Sequence, residues 1–247
     1  MRTQPKIIGV IPARLDSKRL PEKVLRKIGD RAMLHRVYDR ARQSSLLTEL
    51  YVATDSEAIL QYCEKNAIPA AYTGRHSSGS DRLHEVVQRT DGDIYVNIQG
   101  DEPTIRADHI EQLLRPILEG RGEITTLKVS MDEKSAKDPN IVKVVTDKTG
   151  HALYFSRLPI PCNRDAKEKI EYYKHIGLYG YTRSSLEIFH SLSPSLLEKA
   201  EKLEQLRFLE NGIDILVEET PYDTIGVDTE EDLKKAAAFI AAEQNNK

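Results

Sequence analysis

A strongly basic loop follows the first apolar segment of the chain. Residues 7–11, IIGVI, are typical of a strand buried on both faces, and Pro12 ends the segment. After it, four cations fall within a span of ten residues, Arg14, Lys18, Arg19 and Lys23. Because ligands of open α/β sheets bind at the carboxyl ends of strands, this loop predicts a polyphosphate site with backbone N–H groups and cationic side chains as donors. A solvated basic loop is the alternative. The chain has neither G-x-x-x-x-G-K-[ST] nor G-x-G-x-x-G, which excludes a P-loop ATPase and an NAD-type Rossmann protein.

Two acidic segments are candidates for binding a divalent cation. Asp101 follows an apolar segment in NIQGDEP (97–103), and Asp228 lies in GVDTEED (226–232) before the last helical pattern. Mg²⁺ prefers carboxylate oxygens together with phosphate, so Asp101 is well placed to bind it. Each motif also has a simpler interpretation. Asp101 could be a turn residue that caps the helix after Pro103, and Asp228 or Thr229 could cap the last helix.

Alternating strand and helix patterns must position these segments. In the first half, strands are predicted at 7–11, 50–54, 69–72 and 94–98, and helices at 33–44, from 55 or 56 to 66, and at 80–88. In the second half, strands are predicted at 123–130, 141–146, 152–156, 175–181 and 213–217, and helices at 183–191, 195–211 and 230–243. The first pattern argues for βαβ units and a parallel sheet with helices on both faces. We therefore predict one α/β unit with an inserted β-rich subdomain.

The composition is that of an ordinary globular protein. The chain has 247 residues, enough to bury a core without a metal or disulfide. Its 36 Lys and Arg against 39 Asp and Glu give a net charge of −3, which does not favour nucleic-acid or membrane-surface binding. No apolar stretch reaches the ~18 residues of a membrane span, and no signal peptide is recognisable. Cys63 and Cys162 match no metal or redox spacing. We expect a cytoplasmic protein.

Taken together, the motifs resemble the sugar-activating cytidylyltransferases. The shared segments are PARxxSKRLPxK, ATD (53–55), SGSDR (78–82) and NIQGDEP. Further segments, ALYFSR, HIGLYGY, LEQLR and VDT, narrow the resemblance to the 3-deoxy-manno-octulosonate (Kdo) cytidylyltransferase family over about residues 6–240. The resemblance implies an α/β fold of the nucleotide-diphospho-sugar transferase type, with a Rossmann-like, mixed and mainly parallel sheet, flanking helices and an inserted β-rich subdomain.

The resemblance also implies a domain plan and a reaction. A single domain, 1–247, would bind nucleotide through about 6–130, bind sugar and dimerise through about 131–218, and close with a metal loop and helix at 219–243. It would transfer CMP from CTP to the anomeric hydroxyl of Kdo and release pyrophosphate, for lipopolysaccharide biosynthesis. Mg²⁺ is the implied cofactor and a homodimer the implied assembly, with no nucleic acid and no membrane insertion. CMP activation of another acidic sugar (8-amino-Kdo or a sialic-acid type) and a non-catalytic nucleotide-binding module are the alternatives.

Site roles follow from the resemblance residue by residue. Catalytic roles fall on Arg14, Lys23, Asp101 and Asp228, and the two aspartates would hold Mg²⁺. The implied CTP contacts are Pro12, Ala13, Arg14, Ser17, Lys18, Arg19, Lys23, Ala53, Thr54, Asp55, Arg75, Ser78, Gly79 and Gln99. The implied sugar contacts are Gln99, Arg157, His175, Tyr181, Glu204 and Gln205. For Glu204 and Gln205, an ordinary polar helix face is the alternative.

Two positions depart from the family pattern. Glu22 stands where the family usually has glycine and places a carboxylate beside the phosphate loop. Arg75 directly precedes His76, whereas the family often has an arginine three residues before that histidine.

Overall fold

A computed structural model describes residues 4–17, 19–76, 78–165 and 168–245. The chain divides into two compact units. The first unit comprises residues 1–111 and 224–247, and the second comprises 112–223. Lys18, an implied CTP contact, lies outside the described residues.

The elements alternate as the sequence pattern predicts. Up to residue 118 they are β1 (Ile7–Pro12), a 3₁₀ turn (Lys23–Leu25), β2 (Lys27–Ile28), β3 (Arg31–Ala32), α1 (Met33–Ala41), β4 (Glu49–Thr54), α2 (Glu57–Lys65), β5 (Ala70–Tyr72), α3 (Gly79–Arg89), β6 (Ile94–Asn97) and α4 (Ala107–Leu118). The remaining elements are β7 (Ile124–Met131), α5 (Glu133–Ala136), β8 (Lys143–Thr146), β9 (Ala152–Ser156), β10 (Tyr172–Thr182), α6 (Arg183–Ser191), α7 (Leu196–Glu201), α8 (Leu206–Glu210), β11 (Leu216–Glu219) and α9 (Glu230–Asn245).

The first unit is built on parallel strands in the order β6, β1, β4, β5. In the central strand β1, Val10 lies opposite Tyr51 of β4 and Asn97 of β6. The side chains of β1 are buried from Ile7 to Ile11, as a continuous apolar run predicts. Parallel pairing brings the carboxyl ends of β1 and β6 to one edge, where the basic loop and the Asp101 segment begin.

The second unit is mostly antiparallel. Strand β10 pairs in this sense with β7 and β8, and β8 pairs with β9. Strand β11 joins the other side of β7 in parallel. The register between β10 and β7 shifts between Ile176 and Tyr179, which marks a bulge-like irregularity.

Helix α9 closes the first unit and is anchored by apolar contacts. Leu233, Ala236 and Ile240 of α9 pack in one buried cluster with Leu20 of the basic loop and Val227. This cluster fixes the loop and the segment before α9 against the same core. None of the helices formed by the described residues is both long enough and apolar enough to cross a membrane.

The helix predicted at 195–211 is wrong as a continuous element. Lys202 ends α7 in the left-handed conformation, at φ 57° and ψ 48°, and α8 starts only at Leu206. A right-handed helix cannot continue through such a residue. The sequence around Lys202 contains neither glycine nor proline, so its helical spacing hides the break. The last strand was predicted at 213–217 and forms at Leu216–Glu219.

Candidate functional site

A cleft of about 450 Å³ opens at the carboxyl ends of β1 and β6 in the first unit. This volume lies within the range of small-molecule sites, ~300–1,000 Å³. Most of the implied catalytic and CTP-binding residues line it: Pro12, Ala13, Arg14, Ser17, Arg19, Lys23, Ser78, Gly79, Gln99, Asp101 and Asp228. The polyphosphate loop and the acidic segments therefore meet in one cleft.

The backbone at the floor of the cleft is tightly packed. Ala13 N–H donates to the carbonyl of Ala53 at 2.9 Å, which continues the β1–β4 pairing into the loop. A Cβ atom on Gly100 would lie 3.0 Å from the carbonyl oxygen of Pro12, so a glycine allows the two segments to approach this closely. Glu22 has φ 54° and ψ 32°, a left-handed conformation that glycine adopts without strain. The departure from the family pattern thus falls on a position where the backbone favours glycine.

Lys23 joins the two candidate metal ligands. Its Nζ lies 2.5 Å from Asp101 Oδ2 and 2.9 Å from Asp228 Oδ1. The two carboxylate oxygens are therefore no farther apart than the sum of these distances. Arg19 adds a second cation, with Nη2 at 2.8 Å from Asp228 Oδ2. Residues distant in sequence are thus collected into a compact charge cluster.

Burial and charge act in opposite directions in this cluster. The side chain of Lys23 is only 13% exposed, and this burial by itself would lower its pKa. The carboxylates of Asp101 and Asp228 outweigh burial and raise the pKa of Lys23 above its ordinary value. Burial by itself would raise the pKa of Asp228, but Lys23 and Arg19 hold it below its usual range. Lys23 and Asp228 are therefore both charged at neutral pH.

Backbone hydrogen bonds bring the segment before α9 to the segment after β6. Val227 N–H donates to the carbonyl of Asp101 at 2.9 Å, and Ile225 N–H donates to Thr104 Oγ1 at 2.7 Å. These bonds set Asp228 beside Asp101.

Thr229, and not Asp228, caps helix α9. Thr229 Oγ1 accepts from Asp232 N–H at 3.2 Å, and Asp232 Oδ2 accepts from Thr229 N–H at 3.0 Å. This reciprocal pattern is that of a capping box. The Asp228 carboxylate instead binds Lys23 and Arg19. Helix α4 begins at Ala107, six residues beyond Asp101, so Asp101 does not cap it either.

Some of the implied CTP contacts are not among the residues that line the cleft. Of the implied CTP contacts in the described part of the chain, Ala53, Thr54, Asp55 and Arg75 are not among the lining residues. Thr54 is buried, and its Oγ1 accepts from Ser56 N–H at 3.1 Å. Arg75 is largely exposed, with its guanidinium 3.8 Å from Asp16.

Arg82 is a cleft residue that the sequence reasoning missed. Its side chain is only 4% exposed, and its Nη2 donates to Asp55 Oδ1 at 2.9 Å. The same guanidinium donates to Thr73 Oγ1. Arg82 therefore ties the ends of β4 and β5 to α3, whose first residues line the cleft. Arg82 is the last residue of the SGSDR motif, but the sequence does not show that its side chain is buried. His76 and Asp16 also line the cleft and were not assigned.

The implied sugar contacts other than Gln99 lie in the second unit, where their polar groups are largely occupied. Arg157 Nε donates to the carbonyl of Glu201 at 2.7 Å, and Arg157 Nη1 donates to that of Pro139 at 3.2 Å. His175 is buried, with its Nε2 at 3.0 Å from Thr126 Oγ1. Burial, with a smaller effect of Lys174, lowers the pKa of His175 to about 3. His175 is therefore neutral at physiological pH.

Tyr181 and Gln205 complete this buried group. The Tyr181 ring stacks on Tyr179 at a centroid distance of 5.6 Å and also packs against Phe208. Gln205 is 8% exposed, and its Nε2 has no hydrogen-bond partner among the described residues. Glu204 lies beside Gln205 and is partly exposed. Since α8 begins after both residues, neither lies on the continuous polar helix face that was the alternative.

Comparison with known proteins decides the family. The family described as Cytidylyltransferase matches residues 8–215. The 3-deoxy-manno-octulosonate cytidylyltransferase of Koribacter versatilis is 51% identical over 236 residues, which cover 95% of this chain and 90% of the relative. The enzyme of the same name from Acidobacterium capsulatum is also 51% identical, over 95% of this chain and 96% of the relative. The chain belongs to the 3-deoxy-manno-octulosonate cytidylyltransferase family.

Solved structures confirm the fold of this cytidylyltransferase. CMP:2-keto-3-deoxy-manno-octonic acid synthetase, solved in complex with CTP, superposes with a TM-score of 0.92 at 42% identity and covers 96% of this chain and 99% of its own. The 4-diphosphocytidyl-2C-methyl-D-erythritol synthase of Anaerococcus prevotii shares the fold, with a TM-score of 0.66 at 14% identity, over 96% of this chain and 99% of its own. The predicted nucleotidyltransferase fold, a mixed sheet of mostly parallel strands flanked by helices, is confirmed.

The donor set of this cytidylyltransferase fits Mg²⁺. Within the described residues, no group of three or more His, Cys, Asp and Glu side chains could hold a metal ion by itself. Asp101 and Asp228 offer two carboxylates beside a cleft with cationic walls. Mg²⁺ is commonly held by one or two carboxylates that act together with substrate phosphates and water. The pair therefore suits a metal that arrives with a nucleotide, and not a permanent structural ion.

Proposed function

We propose that this protein transfers CMP from CTP to the anomeric hydroxyl of Kdo and releases pyrophosphate, in a Mg²⁺-dependent reaction that serves lipopolysaccharide biosynthesis. The observation that carries the proposal is the charge cluster of Lys23, Asp101 and Asp228 in the cleft. Family membership supplies the substrates, because relatives of about the same length carry the Kdo cytidylyltransferase name.

The cations of the cleft would bind the triphosphate. Arg14, Arg19 and Lys23 line it, and their charges compensate the phosphates through charge-assisted hydrogen bonds. Helix α3 begins at the cleft with Ser78 and Gly79, so its N-terminal end adds positive potential there. Nucleotidyl transfer requires positioning and charge neutralisation more than covalent participation by the protein. The anomeric oxygen attacks the α-phosphorus, and the bond to the β-phosphate breaks as pyrophosphate leaves.

Asp101 and Asp228 would hold Mg²⁺. When bound, the ion would polarise the α-phosphate and favour ionisation of the attacking hydroxyl. The two carboxylates together would hold the ion beside the triphosphate.

The polar side chains of the second unit would supply contacts to the acidic sugar. Arg157 offers a planar guanidinium suited to a carboxylate. His175 is neutral, so one ring nitrogen can accept a hydrogen bond while the other donates. The unpaired Gln205 Nε2 is a donor available to a sugar hydroxyl.

A pyrophosphate-release assay tests the proposal. Purified protein with CTP and Kdo should release pyrophosphate with Mg²⁺ and should lose this activity when the metal is chelated. Arg14→Ala should weaken CTP binding about tenfold or more, since a hydrogen bond to a charged group contributes about 1.5–3 kcal/mol. Preference for 8-amino-Kdo or a sialic acid in the same assay would shift the proposal to that sugar. CTP binding with no turnover of any acidic sugar would indicate a non-catalytic module.

Assembly and location belong to the same proposal. We propose a cytoplasmic homodimer, which the family resemblance supports. Size-exclusion chromatography with light scattering tests the dimer, since a monomeric mass at assay concentration would contradict it.

A further inference from the structure

The ammonium group of Lys23 occupies the position between the two candidate metal ligands. It lies within hydrogen-bond distance of both carboxylates, 2.5 Å from Asp101 and 2.9 Å from Asp228. The side chain is 13% exposed, whereas those of Asp101 and Asp228 are 32% and 47% exposed. Lys23 thus lies on the protein side of the pair and offsets one of its two negative charges.

A divalent cation and this ammonium compete for the same oxygens. A cation bound to Asp101 Oδ2 and Asp228 Oδ1 would stand close to Lys23 Nζ, and the two positive charges would repel each other. Because Lys23 is largely buried, solvent screens this repulsion less than it would between two fully exposed charges. For the metal to bind, the ammonium must find another anionic partner.

The triphosphate of CTP supplies that partner. Lys23 lines the same cleft as Arg14, Ser17 and Gly79, where the phosphates are proposed to bind. Its backbone is held, because Arg26 N–H donates to the Lys23 carbonyl at 3.1 Å and Val24 is buried. Only the long, flexible side chain has to turn from the carboxylates to a phosphate.

We propose that Lys23 is the resident counter-ion of the metal site. In the nucleotide-free protein its ammonium bridges Asp101 and Asp228, offsets one of their two negative charges and keeps divalent metal affinity low. CTP draws the ammonium onto its phosphates, and the vacated carboxylates then accept the metal, so that nucleotide and metal bind with positive coupling. This inference rests on the proposed metal site and adds to it a reason why the site is formed only with nucleotide.

Mn²⁺ binding to the nucleotide-free protein tests the inference without any turnover. Free Mn²⁺ is measured by electron paramagnetic resonance in titrations of the wild type, Lys23→Met and Lys174→Met. Lys174 is a matched control, since its Nζ pairs with the carboxylate of Asp223 at 2.8 Å in the second unit and Lys174 does not line the cleft. We expect Lys23→Met to bind Mn²⁺ about tenfold more tightly than the wild type, and Lys174→Met to bind it as the wild type does. Lys23→Gln repeats the test if the methionine variant does not fold.

The outcomes separate this inference from the proposed metal site. Equal nucleotide-free affinities of the wild type and both Lys23 variants overturn the counter-ion role. A second series measures Mn²⁺ bound in the presence of CTP. Binding that Asp101→Asn and Asp228→Asn abolish there supports the metal site even when the counter-ion role fails. Binding that neither variant changes would overturn the metal site as well.

Discussion

The nucleotide cleft of the first unit and the polar group of the second unit handle their charges in contrasting ways. In the cleft, Arg14 and Arg19 are exposed, and the side chains of Asp101 and Asp228 are partly exposed to solvent. In the second unit, Arg157 donates to backbone carbonyls, and His175 and Tyr181 are buried among aromatic rings. The first region is arranged to receive charge from a ligand, whereas the second is largely satisfied by its own chain.

The difference follows from whether the residues lie outside the strands or within one. Most of the cleft residues come from segments that follow β1 and β6, and others lie at the start of α3 and before α9, where side chains are not fixed by strand pairing. His175 and Tyr181 stand within β10, a strand that pairs with β7 and is mostly buried. Residues of the first kind are expected to affect catalysis more than stability, and residues of the second kind to affect both.

The largest effect is expected at the aspartates of the cleft. Asp101→Asn and Asp228→Asn should each lower kcat by about a hundredfold or more, since losing the proposed metal would remove several kcal/mol of transition-state stabilisation. Because the two carboxylates act as one unit, the double variant should be little worse than either single variant. Steady-state kinetics with Mg²⁺ titration checks this expectation, and circular dichroism checks folding.

Thr229→Ala is the matched control for the aspartates. It removes the capping hydroxyl of α9 and should cost about 1 kcal/mol of stability with little change in turnover. Near-normal turnover of a folded Asp228→Asn enzyme at saturating Mg²⁺ would contradict the expectation that cleft residues affect catalysis more than stability.

The next effect concerns stability in the second unit. Burial lowers the pKa of His175 to about 3 in the folded protein, whereas a histidine in the unfolded chain has a pKa near ~6.5. Between these two pH values, His175 binds a proton in the unfolded chain but not in the folded protein. The free energy of unfolding should therefore fall as the pH decreases below ~6.5, by up to about 1.4 kcal/mol per pH unit. His175→Gln should remove this contribution, about 2 kcal/mol between about pH 7 and about pH 5.

Urea denaturation at the two pH values measures the difference between the wild type and the variant. His190→Gln changes an exposed histidine and should keep the wild-type dependence on pH. Identical pH dependence in the wild type and His175→Gln would show that His175 is accessible to protons in the native state.

A smaller effect is expected at Arg157. Arg157→Lys keeps the charge but loses the planar donors that hold Pro139 and Glu201 and that suit a carboxylate. The KM for Kdo should rise about tenfold, about 1.4 kcal/mol, while the KM for CTP changes little. Initial-rate kinetics with each substrate varied in turn checks this. Equal increases in both KM values would assign Arg157 a purely structural part.

The smallest effect is expected at Glu22. Glu22→Gly relieves a left-handed residue and should stabilise the protein by about 0.5–1 kcal/mol, because the strain of a side chain there exceeds the entropy cost of glycine. Removing a negative charge beside the phosphates should leave the KM for CTP unchanged or lower it. Ala67→Gly is the control, since Ala67 also has a positive φ, 52°, and does not line the cleft. A large loss of activity in Glu22→Gly alone would give the carboxylate a function of its own.

Much of the first unit could be predicted because its signals are local. Continuous apolar runs predicted β1, β4 and β6 as buried strands. The charged residues of the basic loop and of NIQGDEP predicted the phosphate and metal sites at the ends of two of these strands. The inward turn of Arg82 and the break at Lys202 were not predicted. Both depend on which neighbours a side chain or a backbone meets, and no glycine, proline or change of period marks either position.

By itself the sequence determined the family, the order of most of the elements and the residue types of the cleft, because these depend on patterns read within a few residues. Only the tertiary structure decided that Lys23 stands between Asp101 and Asp228, and that Thr229 rather than Asp228 caps α9. Thr229 and Asp228 are both residue types that are favoured at helix N-caps. The hydrogen bond from Val227 to Asp101 and the apolar cluster beneath α9 leave the Asp228 carboxylate facing Lys23. A contact between residues so far apart in sequence is fixed by the packing of the whole unit, which no local pattern records.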